Sequence, residues 1–380
     1  MIYLDNAAST PVAEEVLALV ARVAREDFAN PSASHPAGAA ARRRIATARD
    51  QLLAALGDPG GAGGEVVWTS GGTESNALGV MGAARAAGPG AVVVSALEHP
   101  AVASSAAHLG AAWPVRVAPV TAAGVIEPAA LAELVDDTTR VVAVMLVSNE
   151  LGSIQPVAEL ARAARARAPG VHVHCDATQA LGKLAIDVAA LGVDSLGVAG
   201  HKLHGPKGTG ALWLRRGVTV APLWGGGGQQ GGLRHGTQDA PGAAGLGLAA
   251  ARAVAALPAA AARWRAMTDL LVAAAAASGV PWRVLPVDDP AARAPHLVSL
   301  AFEGVSADGL RTVLASRGVI ASSGSACAAP GARPSGALAA IGLPATWGMV
   351  RLSYGLETTA AEVEAAADIL TAVVRDLAGR

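Results

Sequence analysis

Lysine occurs only at Lys183, Lys202 and Lys207, against twenty-six arginines, and two of these lysines fall in the segment Gly200-His-Lys-Leu-His-Gly-Pro-Lys-Gly208. In a chain that uses arginine wherever a plain cation serves, a retained lysine marks a place where a primary amine is needed. An amine can lose its proton and condense with an aldehyde, whereas a guanidinium stays protonated and cannot. Lys202 is therefore the first candidate for a covalent cofactor site. Val171-His-Val-His-Cys-Asp-Ala-Thr-Gln179 alternates like a strand and places His172, His174 and Asp176 on one face and Cys175 on the other. A metal site from those three is disfavoured, because neighbours along one face of a straight strand rarely converge on one ion. Asp176 is more informative: at the carboxyl end of a strand, a carboxylate can hold a pyridine nitrogen protonated and make the ring an electron sink. Cys175 reads as a core thiol. Cys327 lies in Ser322-Ser-Gly-Ser-Ala-Cys-Ala-Ala-Pro-Gly331, a stretch of small and turn-forming residues expected to be a mobile loop. A thiol in such a loop is a candidate nucleophile.

These residues need a scaffold that brings them together. Short apolar runs at Glu65–Thr69, Ala91–Ser95, Val115–Val120, Val141–Ser148, Val171–Asp176, Asp194–Ala199 and Gly210–Arg215 alternate with longer Ala-rich stretches of helical period. That alternation predicts an α/β fold with a mainly parallel sheet covered by helices on both faces. Thr73 would open a helix after a glycine turn, with free backbone amides and a hydroxyl that suit a phosphate. His99 and Asn149 each follow a strand. Four strand ends then deliver Thr73, His99, Asn149 and Asp176 to one crevice. A long helix is expected from about Ala243 to about Met267. After it come strands near Leu297–Phe302 and Met349–Ser353 and helices near Ala307–Ser316 and Thr359–Leu377, which predict a second, smaller α+β domain.

Length and composition are those of a globular protein: 380 residues, 52% hydrophobic and 16% charged. A net charge of −1 gives no basic footprint for nucleic acid. Two cysteines exclude a disulfide framework and point to a reducing compartment. No uninterrupted apolar stretch reaches the length of a membrane span, and the N-terminus has no signal-peptide pattern. The expectation is a soluble, cytoplasmic protein.

Tyr3-Leu-Asp-Asn-Ala-Ala-Ser-Thr-Pro, Asn30-Pro-Ser-Ala-Ser-His, Thr69-Ser-Gly-Gly-Thr-Glu-Ser-Asn, Glu98-His, Asn149-Glu-Leu-Gly, Asp176-Ala-Thr-Gln, Gly200-His-Lys and Ser322-Ser-Gly-Ser-Ala-Cys follow one another in the chain. In that order and spacing they resemble the cysteine desulfurases, class V aminotransferases among the fold-type I pyridoxal phosphate enzymes. The run from Ser322 to Leu343 is similar to the subgroup with the longer cysteine-bearing loop.

The resemblance implies a fold-type I PLP-dependent transferase with a large cofactor-binding domain over 14–250. Residues 1–13 and 251–380 would form the smaller domain that carries the cysteine loop. Its cofactor would be pyridoxal 5'-phosphate and its substrate L-cysteine, converted to L-alanine with the sulfur passed to Cys327 as a persulfide. By the same resemblance Lys202 would bind the cofactor covalently and move protons at the substrate's α-carbon. His99 would stack on the ring and assist, Asp176 would pair with the ring nitrogen, and Gln179 would bond its phenolic oxygen. Thr73 and His201 would bind the phosphate, joined by Thr237 of the partner subunit, which implies a homodimer. Asn149 and Arg351 would hold the substrate carboxylate, where a bidentate guanidinium fits. Ala199 departs from the serine that many relatives place there, which predicts somewhat weaker cofactor binding. The sequence ends at Arg380, where many relatives continue with a tail that helps dock an iron–sulfur scaffold. The sulfur acceptor is thus either that scaffold, for iron–sulfur cluster biogenesis, or a dedicated carrier. The rival readings are a selenocysteine lyase, another C–S lyase or an aminotransferase of the same family.

Overall fold

A computed structural model describes residues 1–286, 289–323 and 336–379. In chain order its strands are β1 (Ile2–Tyr3), β2 (Gly64–Thr69), β3 (Ala91–Ser95), β4 (Val115–Ala118), β5 (Thr139–Met145), β6 (His172–Asp176), β7 (Ser195–Ala199), β8 (Gly210–Arg215), β9 (Trp282–Leu285), β10 (Leu297–Glu303), β11 (Val319–Ile320) and β12 (Trp347–Ser353). A seven-stranded sheet runs β2-β8-β7-β6-β5-β3-β4. The strands from β7 to β4 are parallel to one another, and β8 runs against both its neighbours. The α/β reading, with its mainly parallel sheet, is thereby met.

The two-residue period of a strand divides the sheet's apolar side chains between two cores. Val93, Val142, Val144, Val173 and Cys175 enter one cluster. Val92, Val94, Val141 and Ala143 enter the other. β5 feeds both because, from Val141 to Met145, every residue is buried.

Two strands end earlier than their apolar runs. β4 stops at Ala118 and β5 at Met145, rather than at Val120 and Ser148. Past Met145 the backbone is drawn into a turn in which Ser148 N donates to Ser153 O at 3.0 Å. That turn carries Asn149 and Glu150 over the carboxyl edge of the sheet.

The Ala-rich helix is longer than predicted, Ala240–Ala277 with Pro258 inside it. Before Pro258, Leu246, Ala249, Ala250 and Ala253 pack into the large-sheet core. Beyond it Ala260, Trp264, Met267 and Leu271 join a separate cluster. By length and composition this helix could cross a membrane, but half of its most apolar window is buried in the protein. Packing on both halves overrides the weak helix propensity of its glycines and proline.

The second cluster backs an antiparallel sheet ordered β12-β10-β9. Helices Ala307–Ser316 and Ala360–Ala378 cover it, the latter opened by a capping box between Thr359 and Glu362. β9 went unread because Pro281 and Pro286 frame only four strand residues. The N-terminal segment ties the two sheets together: β1 pairs with β11, Asn6 Nδ2 donates to Ser353 O at 3.0 Å, and Thr10 N donates to His201 O at 2.8 Å.

Candidate active site

A cavity of about 280 Å³ opens at the carboxyl ends of β3, β5, β6 and β7. Thr73, His99, Asn149, Asp176, Gln179, His201, Lys202 and Arg351 all line it. In an open α/β sheet this edge is where ligands bind.

Lys202 ends a short 3-10 turn, Gly200–Lys202, immediately after β7. Its Nζ donates to Ala7 O at 2.6 Å and Ala8 O at 2.8 Å. The N-terminal segment therefore forms the wall against which the amine rests. His201 sits beside it, with Nδ1 3.3 Å from Ser9 Oγ. Burial, followed by the charges of Lys202, Lys207 and Lys183, pushes the His201 imidazole down to about 4.

Asp176 ends β6 and is 6% exposed. Thr178 N donates to its Oδ1 at 2.9 Å and Asn76 Nδ2 to its Oδ2 at 2.7 Å. Asn76 belongs to the helix Gly72–Ala77 that also bears Thr73, and its Oδ1 meets His174 Nε2 at 3.0 Å. His174 Nδ1 and His172 Nε2 each lie 2.8 Å from the single hydroxyl of Ser195. The strand histidines thus belong to a buried hydrogen-bonded chain that ends on the Asp176 carboxylate. Burial lowers both imidazoles, to about 4 at His172 and about 3 at His174, so the chain is uncharged at neutral pH. Two glycines make room for it: a Cβ at Gly79 would fall on the His174 ring, and one at Gly197 on Asn76 Oδ1.

His99 is the N-cap of helix Pro100–Ala107, with Pro100 at its first position. Its Nδ1 accepts from Ala101 N at 3.0 Å, which leaves the proton of the neutral ring on Nε2. Burial lowers its pKa, the Asp176 carboxylate opposes that shift and the Lys202 charge adds to it. The preceding Glu98 bridges two strand ends: its Oε1 accepts from Ser95 Oγ at 2.5 Å and from Met145 N at 2.8 Å. Its Oε2 is buried without a partner among the described residues. Burial raises this carboxyl to about 8, with the Asp176 charge in the same direction.

On the opposite wall Arg351 in β12 is 2% exposed. Its Nη1 donates to Asn149 O at 2.6 Å and its Nη2 to Asp5 Oδ1 at 2.7 Å. Its Nε has no partner among the described residues. Gln179 Nε2 donates to Ala7 O at 2.8 Å, and its Oε1 lies 3.4 Å from His296 Nε2.

Two expected residues are not in this assembly. Thr237 is exposed and does not line its own chain's cavity. Its loop is fastened at Arg234, whose Nε donates to Glu74 Oε1 at 2.8 Å, and at Gln230, which accepts from Trp68 N at 2.7 Å and donates to Trp68 O at 3.0 Å. Cys327 lies outside the described residues. Cys175 is fully buried, and burial raises its thiol well above the ordinary value, as befits a core thiol.

Sequence reasoning gave no role to Asn76, Asp5 or Lys183. Asn76 follows Thr73 by one helical turn, a spacing that places both on one face. Lys183 was marked only by the rarity of lysine.

The donor set fits pyridoxal phosphate. An amine stands at the cavity wall, a buried carboxylate is held by two donors, and Thr73 lies in the first turn of a helix at the rim. Thr178 Oγ1 is buried without a partner among the described residues and lies 3.1 Å from where a Cβ on Gly72 would stand. That is an unspent hydroxyl beside the first turn of the helix that bears Thr73.

The family model for class-V aminotransferases matches residues 2–366. The IscS-like cysteine desulfurase of Mycobacterium tuberculosis is 40% identical, covering 98% of this chain and 96% of its own. A cysteine desulfurase of Rhodobacter capsulatus is 38% identical, over 99% of this chain and 97% of the relative. Among solved structures, a NifS-like protein superposes with a TM-score of 0.90 at 30% identity, covering 99% of this chain and 100% of that one. With a cavity of this composition and relatives matched end to end, the chain belongs to the class-V aminotransferase family, among its cysteine desulfurases.

Proposed function

We propose that this protein takes sulfur from L-cysteine with pyridoxal 5'-phosphate held in the Lys202 cavity, leaving L-alanine and a persulfide on Cys327. The observation that carries the reading is the convergence of Lys202, His99, Asp176 and Arg351 on one cavity. Bound pyridoxal phosphate supplies an aldehyde that captures amines and a ring that accepts the electron pair left at the substrate's α-carbon.

The chain's own residues do the rest. Lys202 Nζ would hold the cofactor and, when free, would take and return the proton at the α-carbon. His99, neutral with its proton on Nε2, would stack on the bound ring and assist that transfer. Asp176 keeps the ring nitrogen protonated, its carboxylate oriented by Asn76 and Thr178. Gln179 bonds the phenolic oxygen. Thr73 and His201 hold the phosphate together with Thr237 of the partner subunit, in a homodimer. Arg351 and Asn149 receive the substrate carboxylate, with Asp5 and the Asn149 carbonyl fixing the guanidinium. The Cys327 thiolate then attacks the substrate sulfur. An S–S bond forms, the C–S bond breaks, and the departing carbon takes up a proton on its way to alanine.

The persulfide passes its outer sulfur to an acceptor protein, an iron–sulfur scaffold or a dedicated carrier, in the cytoplasm. In this reading a large domain over 14–250 and a small one over 1–13 and 251–380 meet at the cavity, and Cys327 belongs to the small domain.

The cofactor part of this reading is tested by adding pyridoxal phosphate, reducing with borohydride and mapping the modified peptide by mass spectrometry. A single pyridoxyl group on Lys202 is expected. A label elsewhere, or none, contradicts it.

A further inference from the structure

Lys183 is a buried lysine beside the cavity to which the reaction gives no work. It sits in the turn that follows Asp176 and Gln179, is 6% exposed, and sends its Nζ to Lys202 O at 2.6 Å. It therefore ties the loop carrying two cofactor-facing side chains to the backbone of the reactive lysine. Twenty-six arginines elsewhere show that this chain readily uses guanidinium. The equally buried Arg351 keeps its charge, whereas an amine at 183 can give up its proton.

We propose that Lys183 is a positioning residue for Lys202. It fixes the carbonyl of Lys202 and so the direction in which the reactive amine projects, and it presents a second positive centre behind that amine. The inference rests on the cofactor reading above and adds a residue to it.

Burial and the nearby Lys202 charge bring the Lys183 amine down to about 7, so it is partly charged under working conditions. The other ionisable groups in its field are His201, His204 and His296, all lowered by burial and therefore neutral at pH 7. Arg252 and Glu357 act on His204, and Arg351 on His296. None of the three imidazoles supplies a negative charge to offset Lys183. A positive centre behind Lys202 disfavours protonation of the nitrogen that Lys202 carries, whether free or joined to the cofactor.

The experiment compares wild type with Lys183→Met, which removes donor and charge, and Lys183→Gln, which keeps a donor. The pH at which the visible absorption band of bound pyridoxal phosphate titrates is expected to rise by about half a unit or more in both variants. Cofactor loading is expected to slow more in Lys183→Met than in Lys183→Gln. Variants that melt like wild type, load at its rate and leave the titration unmoved overturn the proposal. A purely structural role would lower the melting temperature without moving that titration.

Should neither variant fold, cofactor-free wild type labelled with ¹⁵N-lysine decides the matter, with only three Nζ signals to assign. Lys202 is expected to titrate in two steps, one shared with Lys183, and a single independent step overturns the proposal. A wild type that gains no visible band with pyridoxal phosphate sinks the cofactor reading instead, and the lysine titration still tests Lys183.

Discussion

Replacing Glu98 by glutamine isolates one buried proton. The Glu98 carboxyl rises from 4.5 to about 8 because burial disfavours its charged form, and its Oε2 has no donor among the described residues to stabilise a charge. In the unfolded chain the same group ionises near its ordinary value. Between those two values the folded protein holds a proton that the unfolded chain has released, so stability falls as pH rises through the interval. Below 4.5 both states are neutral and nothing is lost, and above about 8 the full penalty applies. At about 1.4 kcal/mol per unit, the shift corresponds to about 5 kcal/mol, an upper value for a group that water reaches on relaxation. Glutamine keeps the Oε1 acceptor for Ser95 Oγ and Met145 N and removes the titration. It leaves a fixed penalty for its unpaired amide that does not change with pH. The assay is denaturant unfolding of cofactor-free wild type and Glu98→Gln from pH 5 to pH 9. The variant is expected to gain on wild type by several kcal/mol as pH rises, and most steeply below pH 8. Parallel stability curves would refute a neutral Glu98.

Asp5→Asn should raise KM for L-cysteine about tenfold, because Arg351 loses the charged partner that orients it, a loss of about 1.4 kcal/mol. An unchanged KM would remove Asp5 from the substrate site. Gly79→Ala drives a methyl group into the buried His174 ring and should cost about 3 kcal/mol in denaturant unfolding, and a variant as stable as wild type would show that the ring has room. Ala199→Ser adds a hydroxyl beside Thr178 and Gly72 and should tighten pyridoxal phosphate about fivefold, read by cofactor titration. No change there would mean that the remaining donors already saturate the phosphate.

The middle of the large sheet was legible almost residue by residue because its inner strands are buried on both faces, which compels continuous apolar runs such as Val141 to Met145. The active-site edge was legible for the same reason, since a strand end fixes where the next polar residue goes. What escaped was set by contacts distant in sequence. Arg351 and Asp5 meet although 346 positions separate them, and nothing local to either announces the pairing. The extent of helix Ala240–Ala277 was underestimated because glycines and Pro258 read as interruptions, whereas two cores hold the helix through them. Lys183 was visible only as an oddity of composition, and its partner is a backbone carbonyl. Thr237 shows the remaining limit, because a residue expected to act on a neighbouring subunit has no target within its own chain.

The central claim is desulfuration through Cys327. It is tested most directly by measuring L-alanine and sulfide released from L-cysteine by the pyridoxal phosphate-loaded protein with a thiol reductant, wild type against Cys327→Ser. Equal amounts of the two products from wild type, and neither from the variant, are expected. Pyruvate and ammonia in their place, or a Cys327→Ser variant with full activity, would contradict the account.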